Sequence, residues 1–155
     1  MSGYQPRGLY YEDLEVGHRV VSAGRTISEA DIMAFAGVSG DWNAIHIDAE
    51  YAKTAGFGER VAHGLLVLSI ASGLAMQMGF LDRTVEAFTS IDWKFRSPTK
   101  IGDTIHIEAE VTQKKSVPGG MGGFVSFSIA VKNQRDETVQ KGSWMIVVKS
   151  RPAGD

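Results

Sequence analysis

Cysteine is missing from all 155 positions. Its absence excludes a disulfide framework, thiolate metal sites and a cysteine nucleophile, and it suits a cytoplasmic setting. An excess of one charge is missing too: 16 Lys and Arg stand against 18 Asp and Glu, a formal net charge of −2. Such a balance gives no global attraction for nucleic acid. The start, Met1-Ser-Gly-Tyr-Gln-Pro-Arg-Gly8, lacks the basic-then-apolar order of a secretory leader. Neither a Gly-x-Ser-x-Gly elbow nor a His-Glu-x-x-His pair occurs, so serine-hydrolase and zincin signatures are both absent. No repeat, low-complexity tract or linker divides the chain. The expectation is one domain over 1–155, with an ordered core from about 8 to 150.

What the chain does have is one long, nearly charge-free run, Val61 to Leu81. It approaches membrane-spanning length, but His63, Ser69, Ser72 and Gln77 interrupt it, and no cluster of Lys or Arg flanks it. The run therefore reads as a helix from about His63 to Phe80 enclosed by protein rather than lipid. Met76 and Met78 read as core filler within it. Upstream, Ser28-Glu-Ala-Asp31 is a capping-box-like start, followed by Ile32, Phe35 and Ala36 at helical spacing and stopped by Gly37 to Gly40. Asp48 starts a second short helix that ends at Gly56-Phe57-Gly58.

Downstream the period changes to two. Ile91, Trp93 and Phe95 alternate with charged residues, as do Ile105, Ile107, Ala109 and Val111. Two more strands follow, Val125 to Val131 and Trp144 to Val148, and an earlier one lies between Tyr10 and Arg25. Pro118-Gly-Gly-Met-Gly-Gly123 reads as a flexible hairpin, because it opens no helix and so makes a poor phosphate cradle. A long apolar helix with antiparallel strands and no βα alternation indicates an α+β protein. An antiparallel sheet wrapped around that central helix, the hotdog arrangement, encloses it economically.

One cluster carries chemistry. Asp41-Trp-Asn43-Ala-Ile-His46 gathers an acid, an amide and an imidazole in a loop, and His63-Gly64 opens the long helix. An acid–base pair and a helix N-terminus are what proton transfer next to a carbonyl requires: one moves protons, the other holds a developing oxyanion. Taken singly, Asp41 can be a turn residue, His46 a hydrogen-bonded structural histidine and Ser72 a back-bonded helix serine. His63 can tie the helix start to a loop carbonyl. A calcium loop fails, because Ile45 and His46 stand where an oxygen ligand and Gly are needed. No metal site is expected.

The run Phe35-Ala-Gly-Val-Ser39-Gly40-Asp41-Trp-Asn43-Ala-Ile-His46-Ile-Asp48, then Arg60-Val-Ala-His63-Gly64, resembles the MaoC-like dehydratase family. Its catalytic members include the (R)-specific enoyl-CoA hydratases. The Phe95-Arg96-Ser-Pro-Thr-Lys-Ile101-Gly-Asp103 turn is similar to that family's strand connection. Ala44 stands where the family commonly has Pro, which relaxes the loop without removing a catalytic group. The resemblance implies a single hotdog fold and reversible hydration of a trans-2-enoyl-CoA to an (R)-3-hydroxyacyl-CoA, with no cofactor beyond the thioester substrate. It implies Asp41 and His46 as the catalytic pair gripping water, and the Gly64 N–H as oxyanion donor. Asn43 and Ser72 would support the pocket, with His63 at the helix start and Arg96 a candidate CoA contact. It also implies a homodimer with sheets joined edge to edge, with neither nucleic acid nor membrane as partner. Two other readings use the same residues: a hotdog thioesterase with Asp41 as base, and a non-catalytic acyl-CoA-binding or assembly module.

Overall fold

The structure, a computed structural model, describes residues 6–154. Helix α1, Glu29–Ser39, starts as its sequence dictates: Ser28 Oγ accepts the Asp31 N–H at 3.2 Å and Asp31 Oδ2 accepts the Ser28 N–H at 2.9 Å. Gly40, at φ +77, closes it by donating its N–H to Ala36 O. The left-handed geometry is why glycine stands there. Two short helices follow, α2 (Ala44–Ile47) and α3 (Ala49–Thr54). The long apolar helix, α4, spans Gly64–Gln77. It ends before the expected Phe80 because Gly79, at φ +79, turns the chain.

The strands are β1 (Arg19–Val21), β2 (Arg25–Thr26), β3 (Val85–Phe95), β4 (Thr104–Ser116), β5 (Gly123–Lys132) and β6 (Thr138–Val148). They form an antiparallel sheet in the order β1-β4-β5-β6-β3, with β2 also paired to β4. Alternation decides its faces. Ile105, Ile107, Ala109 and Val111 of β4 point inward with Val125, Phe127, Ile129 and Val131 of β5 and Trp144, Ile146 and Val148 of β6. Leu66, Val67, Ile70, Ala71, Leu74 and Ala75 of α4 pack onto that surface. This is the hotdog arrangement, and the α+β reading holds. Apolar burial of this kind is the main force keeping helix and sheet together.

Three expectations need correction. The Asp41–His46 cluster is not all loop, since His46 sits on α2. Strand β3 begins at Val85 rather than near Ile91, and its pairing with β6 shifts register twice, which breaks the simple alternation. Helix α4 is enclosed on one side only: Leu65 is 58% exposed and Met76 41% exposed, so Met76 is not core filler, whereas Met78 does pack on the core. Strand β3 is one edge of the sheet, and Phe88, Ile91 and Phe95 are exposed on it. Among the described residues, no helix is long and apolar enough to cross a membrane.

Candidate active site

Short polar side chains shape the loop after α1, each capping the next backbone group. Ser39 Oγ donates to Phe35 O and accepts the Asp41 N–H at 3.1 Å. Asp41 Oδ1 accepts the Asn43 N–H, and Asn43 Oδ1 accepts the Ile45 N–H, both at 3.2 Å. The second of these caps α2, so Asn43 starts the turn that carries His46.

His46 is buried, with Nδ1 2.7 Å from Val61 O. A carbonyl only accepts, so Nδ1 holds the proton and neutral His46 keeps its lone pair on Nε2. Arg60 holds the same turn from behind: its Nε donates to His46 O at 2.7 Å, and its Nη1 pairs with Glu29 at 2.6 Å. His63, buried at the start of α4, donates Nε2–H to Asp41 O at 2.9 Å and ties the loop to the helix. Its ring stacks on that of His46 with centroids 3.8 Å apart and planes 30° apart.

A carboxylate oxygen of Asp41 and one ring nitrogen from each histidine lie within 4.8 Å of one another. Polar atoms this close can share one small ligand such as a water molecule. Asp41 itself is exposed, beside the buried His46.

His46 opens onto a cleft of about 400 Å³ whose walls include Ile45, Phe57, Leu65, Phe95, Gln140 and Gly64, the first residue of α4. No side chain caps the start of that helix. Its first N–H groups are thus unclaimed by a cap and add positive potential at the cleft. Glycine is required at 64 for space: a Cβ there would lie 2.7 Å from Phe95 Cδ1. The lining is mostly apolar, with a few polar groups at one end, as suits an acyl group with a polar head.

The structure brings Asp41, Asn43, His46 and His63 together, and of these His46 lines the cleft with Gly64. It keeps Ser72 apart, because Ser72 Oγ donates to Ser69 O at 2.7 Å and the residue is not on the cleft wall. Arg96 lies on the wall and is exposed, with its backbone N–H bonded to Val139 O. Sequence reasoning missed Gln140, buried on the wall, whose Nε2 donates to Gly64 O at 3.0 Å. It missed Arg60 as the brace of α2 as well. A polar residue inside a strand is a signal only once its neighbours are known.

Comparisons with known proteins identify the family. The family described as MaoC like domain matches residues 14–125. The 3-hydroxybutyryl-CoA dehydratase of Methylorubrum extorquens is 36% identical over 107 residues, 69% of this chain. The match spans 66% of that relative, just under two-thirds of its length. The (R)-specific enoyl-CoA hydratase of Rhodospirillum rubrum is 37% identical over 103 residues, covering 66% of this chain and 69% of the relative. Among solved structures, the monoamine oxidase regulatory protein from Archaeoglobus fulgius superposes with a TM-score of 0.88 at 36% identity. That superposition covers 95% of this chain and 98% of the other.

Proposed function

The chain belongs to the MaoC-like domain family, and from that premise we propose that it is a hydro-lyase adding water reversibly across a trans-2-enoyl-CoA to give an (R)-3-hydroxyacyl-CoA. One observation carries the reading: a carboxylate oxygen of Asp41 lies within 4.8 Å of a ring nitrogen of His46, and His46 lines a cleft that also receives the uncapped start of α4.

The chemistry follows from the groups in place. A water held between the Asp41 carboxylate and His46 Nε2 faces two acceptors, so its oxygen lone pair is left for Cβ of the substrate. As the C–O bond forms, the pair takes one proton from that water. The double-bond electrons move toward the thioester, and charge builds on its oxygen. The Gly64 N–H, reinforced by the α4 dipole, is the donor for that oxygen. The enolate-like state collapses when the pair returns a proton to Cα. Hydroxide adds at Cβ and a proton at Cα, with nothing oxidised or reduced, so the reaction calls for neither metal nor redox group. Asn43 and His63 hold the loop that carries Asp41. Arg96, exposed at the cleft, suits a phosphate of CoA.

A homodimer completes this picture. The β3 edge and the bare side of α4 meet at Phe95 and Leu65, 56% and 58% exposed, which also line the cleft. A second copy paired along β3 would cover them and close the cleft. CoA thioester chemistry and a chain without cysteine suit the cytoplasm.

The test supplies crotonyl-CoA and follows two signals, loss of the conjugated enoyl absorbance and release of free thiol. Absorbance loss without thiol, giving the (R) product, is the expected result. Thiol release at the same rate would replace hydration with thioester hydrolysis. Silence toward short, long, branched and dicarboxylic enoyl-CoAs alike would leave a binding module.

A further inference from the structure

We propose that Gln140 is a positioning residue for the oxyanion donor and that Trp93 sets its orientation, an inference resting on the reading above. Strand β6 should bury alternate residues, yet Val139 and Gln140 are both buried. Between Val131 and Lys132 of β5 the partners jump from Gln140 to Thr138, so Val139 is the extra residue of a bulge. A bulge re-aims the side chains beside it. Here it turns a primary amide, 2% exposed, toward the start of α4.

The orientation of that amide is fixed by chemistry. The Trp93 indole can only donate, so the group 2.9 Å from its Nε1 is the Gln140 oxygen. The amide nitrogen must then face the other way, where Gly64 O accepts at 3.0 Å. The Gly64 carbonyl belongs to the first peptide of α4, which no side chain caps. Gly64 is thus held from three directions: the Phe95 ring over its Cα, the Gln140 amide on its carbonyl, and the His63 tether to Asp41 just before it. That carbonyl shares its peptide with the Leu65 N–H, so the Gln140 bond acts on the Gly64 N–H by fixing the orientation of the residue that carries it. Such an effect is largest when charge sits on the substrate oxygen and small in the ground state. The relay therefore runs from the sheet edge through Trp93 and Gln140 to Gly64.

The test compares Gln140→Leu, Gln140→Glu and Trp93→Phe with the native chain. Three readouts are taken: kcat and KM on crotonyl-CoA, affinity for saturated butyryl-CoA, and the pH at which bound acetoacetyl-CoA becomes its enolate, read by near-ultraviolet absorbance. Thermal midpoints report folding. In Gln140→Leu we expect kcat to fall about 10-fold to 10²-fold with KM within roughly threefold. Butyryl-CoA affinity should be unchanged and enolisation should move to higher pH. Trp93→Phe should move the same readouts less. Gln140→Glu should keep kcat at low pH, where the acid can donate to Gly64 O, and lose it as the carboxylate forms. If folded Gln140→Leu keeps kcat and the enolisation pH, the proposal is overturned. Equal losses of butyryl-CoA affinity and kcat overturn it too. Should Gln140→Leu not fold, an unchanged Trp93→Phe decides against it. The enolisation readout needs no turnover, so a native chain that hydrates nothing yet shifts enolisation contradicts the proposed function while leaving Gln140 to be judged.

Discussion

The hydrogen-bond partners of His46 and His63 set the two imidazoles apart. Each spends one ring nitrogen on a carbonyl, His46 on Val61 and His63 on Asp41. The remaining nitrogen of His46 serves a residue on the cleft wall, whereas Nδ1 of His63 is buried without a partner. The account therefore gives His46 proton transfer and His63 the tethering of the loop. His63→Phe preserves the stacked ring and removes the tether, so kcat should fall about 10-fold through a misplaced Asp41, with thermal stability lowered only slightly. Steady-state kinetics beside a melting curve check this. Gly64→Ala forces its new methyl group against Phe95 Cδ1, 2.7 Å away. The expected outcome is at least about a 10-fold loss in kcat, with Gly64→Ala partly rescued by Phe95→Leu. Activity unchanged in the single variant would remove Gly64 from the site.

The elements differ in how far the sequence foretold them. Helix α1 was legible because its start signal is local: the Ser28 and Asp31 side chains each accept the other's backbone N–H, and Arg25 pairs with Asp31 close by in sequence. Helix α2 was not, because four residues form a turn only with help from the Asn43 cap and the His46 contact to Val61, fifteen positions away. The role of Gln140 was hidden for the same reason, since it depends on a bulge that no pattern announces. The α1 start makes a pH prediction. Burial alone would raise the Asp31 carboxyl, but hydrogen bonds from Ser28 and the charge of Arg25 outweigh it and hold the carboxyl below its ordinary value. A carboxyl lowered by folding stabilises the native state above its unfolded pKa and loses that contribution as pH falls through the folded one. Asp31→Asn should cost about 1 kcal/mol near neutral pH. Urea unfolding should show this difference shrinking as pH falls below the ordinary carboxylate value of about 4. A pH-independent difference would mean that shape, not charge, caps the helix.

At the scale of the molecule, the fold was readable from period alone: a long apolar helix and a change to alternation after Leu81. The open side of α4 was not. A run apolar all round promised enclosure, and a single chain leaves Leu65 and Met76 of α4 exposed, together with Phe88, Ile91 and Phe95 on the β3 edge. That mismatch is the argument for a second copy. Ile91→Lys places a charge in the middle of the exposed edge. It should convert a dimer to a monomer in analytical ultracentrifugation and depress activity together with assembly. A native chain that sediments as a monomer at micromolar concentration would refute the paired edge.

The central claim, that Asp41 and His46 share one water and pass one proton, is tested most directly by kcat on crotonyl-CoA for Asp41→Asn and His46→Gln. The account predicts a loss of about 10²-fold or more in each variant, with melting temperature little changed and no release of thiol. Near-native turnover in either folded variant would contradict it.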